Sequence, residues 1–225
     1  WAACRRDILW KELAGVGCYA GLDLAKVHDL SALSLLFEPS NPIFPGKWLL
    51  ACRFWCPAED IENRGRADGV DYKSWRERGL LTATPGATTD FDQIEREVFQ
   101  IHQAFNIKRL GYDRFLAQQL IQHWEAGGIE CVDVPQTIGV MGPPTAELQR
   151  MVKAGELYHG GHEIMGWNIG NTIVSPDANQ NIRPNKAKSG KKIDGAIATI
   201  NGLAVAMTDE HKQSAYESGR EVLIV

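Results

Sequence analysis

Several features that would tie a chain to a membrane, an oxidising compartment or a nucleotide are missing here. No apolar run approaches the roughly 20 residues needed to cross a bilayer, and Trp1-Ala2-Ala3-Cys4-Arg5-Arg6 has no signal-peptide core. A soluble, intracellular protein is the expectation. Cysteine is sparse: Cys4, Cys18, Cys52, Cys56 and Cys131 are scattered and odd in number, and three lie in apolar, strand-like stretches, as reduced, buried thiols do. Cys52 and Cys56 form no C-x-x-C pair, so no zinc site is expected there. A G-x-x-x-x-G-K-[ST] loop is absent, which excludes a P-loop ATPase within these residues. The lack of G-x-S-x-G and H-E-x-x-H argues against serine-hydrolase and zinc-protease chemistry.

An excess of positive charge is also missing. The formal net charge is −4, which disfavours a protein that coats nucleic acid but leaves room for an enzyme with acids at its centre and a local basic patch. Hydrophobic residues make up 44% of the 225 and charged residues 23%, so one sizeable folded domain is expected rather than a disordered chain.

Three strands are expected early, over Val16–Asp23, Ser31–Phe37 and Lys47–Trp55, joined closely enough for an antiparallel meander. Residues 59–79 read as a polar stretch anchored by Trp75. Asp90 is placed to cap a helix whose Phe91, Ile94, Val98, Ile101 and Phe105 share a face. A strand at Arg109–Asp113, a helix at Leu116–Trp124 and a strand at Glu130–Val134 imply a parallel strand-helix-strand unit. Pro143-Pro144 is expected to open a helix ending near Gly155, and a Gly/His/Trp stretch follows to Asn171. Residues 175–192 read as a loop or exposed hairpin, and a helix runs from Ile193 through Met207. The expected organisation is a linker over 1–14, a domain over 15–209 and a polar tail over 210–225 that ends in apolar Val222–Val225. The fold class is α/β, a mixed central sheet with an antiparallel meander and then parallel strands, flanked by helices. That order fits a ribonuclease-H-like architecture and many other α/β domains.

Three aspartates fall at comparable places: Asp23 at the end of the first strand, Asp113 at the end of the fourth, and Asp194 at the start of the last helix. If the two strands are neighbours and the helix packs on them, three carboxylates converge. Two carboxylates about 4 Å apart repel by roughly 4 kcal/mol at an effective dielectric near 20, so the cluster asks for a cation. Mg²⁺ or Mn²⁺, hard ions that take oxygen ligands, fits that need, and a pair of ions suits phosphodiester hydrolysis. Taken singly, each aspartate also has a turn or capping role open to it. Asp29 reads as a turn acid or a supporting group. Arg183, Lys186, Lys188, Lys191 and Lys192 form an acid-free basic run just before Asp194, either a solvated loop or a grip on DNA phosphates. His159-Gly160-Gly161-His162 reads as a glycine turn with polar contacts rather than a metal site.

As a set, Gly21-Leu22-Asp23-Leu24-Ala25, Asp29-Leu30-Ser31-Ala32, Tyr112-Asp113, Leu157-Tyr158-His159-Gly160-Gly161, Trp167-Asn168 with Asn171, and Lys192-Ile193-Asp194-Gly195-Ala196 resemble the large terminase subunits of tailed phages. The resemblance runs in order from about Val16 to Met207. It implies a ribonuclease-H-like nuclease that cuts concatemeric double-stranded DNA during genome packaging in the host cell cytoplasm. It places Asp23, Asp113 and Asp194 as catalytic metal ligands, and Lys186 and His159 in shared segments as phosphate contact or support. The implied partners are double-stranded DNA, an ATPase domain of the same subunit, the small terminase subunit and the portal, with no membrane. Two other readings stay open: a docking module for DNA or the portal that does not cleave, and a resolvase- or integrase-type enzyme.

Overall fold

The computed structural model describes residues 1–114 and 118–217. Its first three strands form the expected meander: β1 (Cys18–Asp23), β2 (Ser31–Phe37) and β3 (Trp48–Pro57), with Asp23 opposite Ala32 and Ser31 opposite Trp55. Every residue of β2 is buried, because helices cover both faces of the sheet. Alternation then sorts the side chains. Leu33, Leu35 and Phe37 pack on one face, while Ala32 and Leu36 pack on the other.

Residues 59–79, expected as a polar stretch, fold into two short helices, α1 (Ile61–Asp68) and α2 (Tyr72–Glu77), with Tyr72 and Trp75 buried. Few apolar residues are needed to seat so short a pair, so hydrophobic periodicity carries little trace of them. Next come β4 (Thr82–Thr84) and α3 (Phe91–Phe105), where the Asp90 carboxylate accepts from Gln93 N at 3.0 Å as the expected cap. Then β5 (Ile107–Tyr112), α4 (Gln118–Ala126) and β6 (Glu130–Asp133) form the parallel unit. The expected helix start at Leu116 and the Val222–Val225 terminus lie outside the described residues.

The helix expected to open at Pro143-Pro144 begins earlier. α5 spans Ile138–Ala154 with both prolines inside it. Their missing N–H groups deprive the carbonyls of Gly139 and Val140, but those residues are exposed, where water can replace the lost bonds. The Gly/His/Trp stretch contains β7 (Leu157–His159) and α6 (Glu163–Asn171). The hairpin reading of the next segment holds as β8 (Val174–Pro176) and β9 (Ile182–Pro184), followed by α7 (Lys186–Ser189). The last helix, α8 (Asp194–Glu217), continues into what was expected as a tail. The leading residues, expected as a linker, pack on the domain: Cys4 and Leu13 are buried, Arg6 N donates to His159 O at 3.0 Å, and Trp1 stacks on His159.

The main sheet has seven strands in the order β4-β3-β2-β1-β5-β6, with β7 also paired to β3. β4, β5, β6 and β7 all run parallel to their neighbours, which gives the mixed sheet expected from the sequence. α3 and α4 cover one face with Ile94, Val98, Ile121 and Trp124. α5, α6 and α8 cover the other with Met151, Ile164, Met165 and Ile197. No described helix is long and apolar enough to cross a membrane.

Candidate active site

Two glycines decide where the acids meet. β1 and β5 are parallel neighbours with Gly21 opposite Gly111 and Leu22 opposite Tyr112, so Asp23 and Asp113 come next in register. A Cβ on Gly21 would sit 1.9 Å from Ala198 O, and one on Gly111 would sit 2.4 Å from Asn201 O. Both glycines therefore face α8 and let its backbone lie almost directly on the sheet. By the two-residue alternation of a strand, Asp23 and Asp113 are directed to that same face. Along α8, Asp194, Ala198 and Gly202 recur at four-residue steps, which carries Asp194 over the end of β1. Buried amides lock the approach: Asn201 Nδ2 donates to Leu22 O at 2.9 Å, and Gly195 N donates to Asn168 Oδ1 at 2.7 Å.

Asp23 and Asp194 are sealed from solvent, 7% and 2% exposed. Between them sits the Lys186 ammonium, 3.0 Å from Asp23 Oδ2 and 3.5 Å from Asp194 Oδ1. The other carboxylate oxygen, Asp194 Oδ2, is buried with no hydrogen-bond partner. Burial raises both carboxyls above their ordinary range. The Lys186 charge opposes the rise, Asp113 and Asp29 add to it at Asp23, and Asp23 and Asp29 add to it at Asp194. Burial alone would lower the Lys186 ammonium, but Asp23 and Asp194 outweigh it and raise it. The two directions are compatible, since two carboxylates around one ammonium leave a net negative charge in a dry place, and the acids hold a proton more readily than free ones do.

Asp113 lines the same cleft, a space of about 410 Å³ that also touches Asp23, Gln136, Arg183, Asn185 and Lys186. Among the described residues, no three His, Cys, Asp or Glu side chains stand together as a ready metal cage. The donor set still fits a hard cation: carboxylate oxygens only, two of the acids facing one positive charge, and one oxygen with nothing to bond.

A sequence profile of the terminase large subunit endonuclease domain matches residues 6–210. The chain belongs to that family. It is 30% identical over 190 residues to the terminase large subunit of Enterobacteria phage HK97, covering 84% of this chain and 37% of that protein. It is 27% identical over 221 residues to protein YmfN of Escherichia coli K12, covering 95% and 49%. The chain thus spans less than half the length of these relatives. The crystal structure of the HK97 large terminase matches with a TM-score of 0.76 at 30% identity, over 86% of this chain and 42% of that one. The large terminase nuclease of thermophilic phage G20c with bound magnesium gives a TM-score of 0.51 at 14% identity, over 83% and 80%, a likeness of fold alone. The architecture is ribonuclease-H-like.

In this terminase nuclease domain the other expected residues divide. Lys192 Nζ bonds Asp29 Oδ1 at 2.6 Å, so Asp29 stands at the rim with a cation of its own. Arg183 donates to Gln136 O at 2.7 Å, Lys191 donates to Asp68 O at 2.5 Å, and Lys188 is exposed. Of these side chains Arg183 lines the cleft, while Lys191 reaches the end of α1. His159 does not join them. It pairs with Leu50 on β3, whereas Asp23 is level with Ala32 and Phe54, about 13 Å further along the sheet at 3.3 Å per residue. Its Nε2 meets Trp1 O at 3.1 Å and its Nδ1 accepts from Gly161 N at 3.1 Å, which makes it a fastener for the leading segment.

Sequence reasoning passed over Gln136 and Asn201, and quoted Asn168 in a shared segment without giving it a role. Gln136 Nε2 bridges Val134 O and Asn201 Oδ1, which ties the cleft wall to α8. The available signal was a polar residue at an apolar helix position, as Asn201 is between Ile200 and Leu203. Glycine inside two neighbouring strands was a second one.

Proposed function

We propose that this domain is a divalent-metal-dependent endonuclease that cuts concatemeric double-stranded phage DNA during genome packaging in the host cytoplasm, with Asp23, Asp113 and Asp194 as its metal ligands. The observation that carries the reading is the sealed Asp23 and Asp194 pair facing one ammonium, with Asp194 Oδ2 left unbonded. Membership of the terminase endonuclease family and the magnesium bound by the G20c nuclease support it. Mg²⁺ or Mn²⁺, as two ions, would activate a water and stabilise the leaving oxygen of the phosphodiester.

The chain's own residues set up that chemistry. Asp23 and Asp194 present oxygens from rigid elements, a strand end and a helix start, held by the Gly21 and Gly111 contacts. Asp113 adds a third carboxylate from the cleft wall. Arg183, Lys186, Lys188, Lys191 and Lys192 supply the positive rim that an acidic protein needs to hold a DNA backbone. In the larger assembly the domain works with an ATPase domain of the same subunit, the small terminase subunit and the portal.

Incubation of a supercoiled plasmid with the chain and Mn²⁺ or Mg²⁺ tests the reading. Nicking and linearisation are expected with the native chain and not with Asp113→Asn at an unchanged melting temperature. Full cleavage by Asp113→Asn would remove that residue from the mechanism, and no cleavage by the native chain under either metal would remove the activity.

A further inference from the structure

The site holds a cation of its own making. The Lys186 ammonium lies within bonding reach of both sealed carboxylates, in the position from which an ion shared by Asp23 and Asp194 would have to bond them. Its support differs from theirs. Asp23 and Asp194 stand on the central strand and on the helix packed against it, whereas Lys186 opens α7, a four-residue helix with no buried residue. The lysine side chain is half-exposed and can swing into the cleft without disturbing the core. Asp194 Oδ2, unbonded and 2% exposed as a residue, marks valence that Lys186 does not fill.

We propose that Lys186 is the resident counter-ion of the metal-free site, exchanged for a divalent ion when the site loads and then free to meet a DNA phosphate at the mouth of the cleft. The inference rests on the reading of Asp23 and Asp194 as metal ligands. An ammonium and a divalent ion cannot share the gap between two carboxylates, so each excludes the other by charge and by volume. Lys186 thereby keeps the acids from repelling one another before metal arrives, and it opposes loading by a competition that removing its charge would abolish. This makes it a positioning residue of the metal-free state as well as a phosphate contact.

Calorimetric titration of Mn²⁺ into the 225-residue chain tests the exchange without relying on cleavage. Lys186→Met, which keeps the apolar stem, and Lys186→Ala are expected to bind Mn²⁺ at least about tenfold more tightly than the native chain, equivalent to about 1.4 kcal/mol. Asp194→Asn serves as the non-binding control. In parallel, a water-soluble amine-acylating reagent read by peptide mass spectrometry should label Lys186 of the native chain severalfold faster with Mn²⁺ than without. Lys47, bonded to Gly155 O at 2.9 Å, should be labelled equally in both. The labelling decides the matter if either variant fails to fold. Native binding with unchanged or weaker affinity in the variants, or Lys186 labelling indifferent to Mn²⁺, overturns the exchange and leaves the metal site standing. Absence of Mn²⁺ binding in native chain and variants alike overturns both.

Discussion

Asp194 and His159 are two titratable side chains sealed to nearly the same degree, 2% and 5% exposed, one opening the helix packed on the sheet and the other closing β7. His159 has a backbone partner for each ring nitrogen and an indole stacked on its face, with centroids 4.1 Å apart. Burial lowers its pKa first, only partly offset by the bond to Trp1 O, so it takes a proton less readily than a free ring. Asp194 has an oxygen with no partner, a like-charged neighbour and a borrowed ammonium. The difference teaches how to tell a fastener from a site. A buried polar group with every valence used holds the fold together, whereas one with valence to spare costs stability until a ligand takes it up.

The largest effect should come from the glycine that builds the acidic end. Gly21→Ala places a methyl 1.9 Å from the Ala198 carbonyl, and neither backbone can yield without lifting α8 from β1. A loss of about 3 kcal/mol or more is expected in urea unfolding, at the top of the range for overpacking, together with loss of Mn²⁺-induced stabilisation as Asp194 moves away from Asp23. Native-like stability in this variant would mean that the close approach does not position the site.

A smaller, paired effect sharpens the contrast. His159→Ala should cost about 2 kcal/mol through lost stacking and hydrogen bonds while the rise in melting temperature on adding Mn²⁺ stays unchanged. Asp194→Asn should do the reverse, with little or no loss in metal-free stability and no response to Mn²⁺. The smallest effect is in the pH profile. Because the folded His159 ring takes a proton less readily than its ordinary value of 6.5, its contribution is complete above that value and falls away as pH drops below it. The raised carboxyls of Asp23 and Asp194 act in the opposite sense over the same range, so the share of His159 is read as the difference between thermal melts of the native chain and of His159→Phe, with the variant losing less toward acid. An unaltered profile in His159→Phe would detach the histidine from the acid response.

Much of this contrast was legible before any coordinates. The meander, the Asp90 cap and the parallel unit follow from alternation, capping chemistry and short connections, all local to the chain. Strand ends and a helix start were enough to nominate Asp23, Asp113 and Asp194, and family resemblance put them in order. What escaped was whatever depends on a distant partner. His159 shares a segment with the family, but its bonds go to Trp1, at the far end of the sequence. α1 and α2 are anchored by Ile61, Tyr72 and Trp75, too few to show a period. The helix turn ahead of Pro143 hides because proline is read as a start signal, and only exposure reveals that the lost hydrogen bonds are affordable. Lys186 was visible as charge in a basic run, while its place between two acids depends on how β9 delivers α7 to the cleft.

The most direct test of the central claim is anomalous scattering from a crystal of the chain soaked in Mn²⁺. The expected result is a peak about 2.1 Å from Asp194 Oδ2, shared with Asp23, with Asp113 drawn toward the ions and the Lys186 ammonium gone from between the acids. An ordered crystal with Lys186 still bridging Asp23 and Asp194, and manganese bound only elsewhere on the surface, would contradict it.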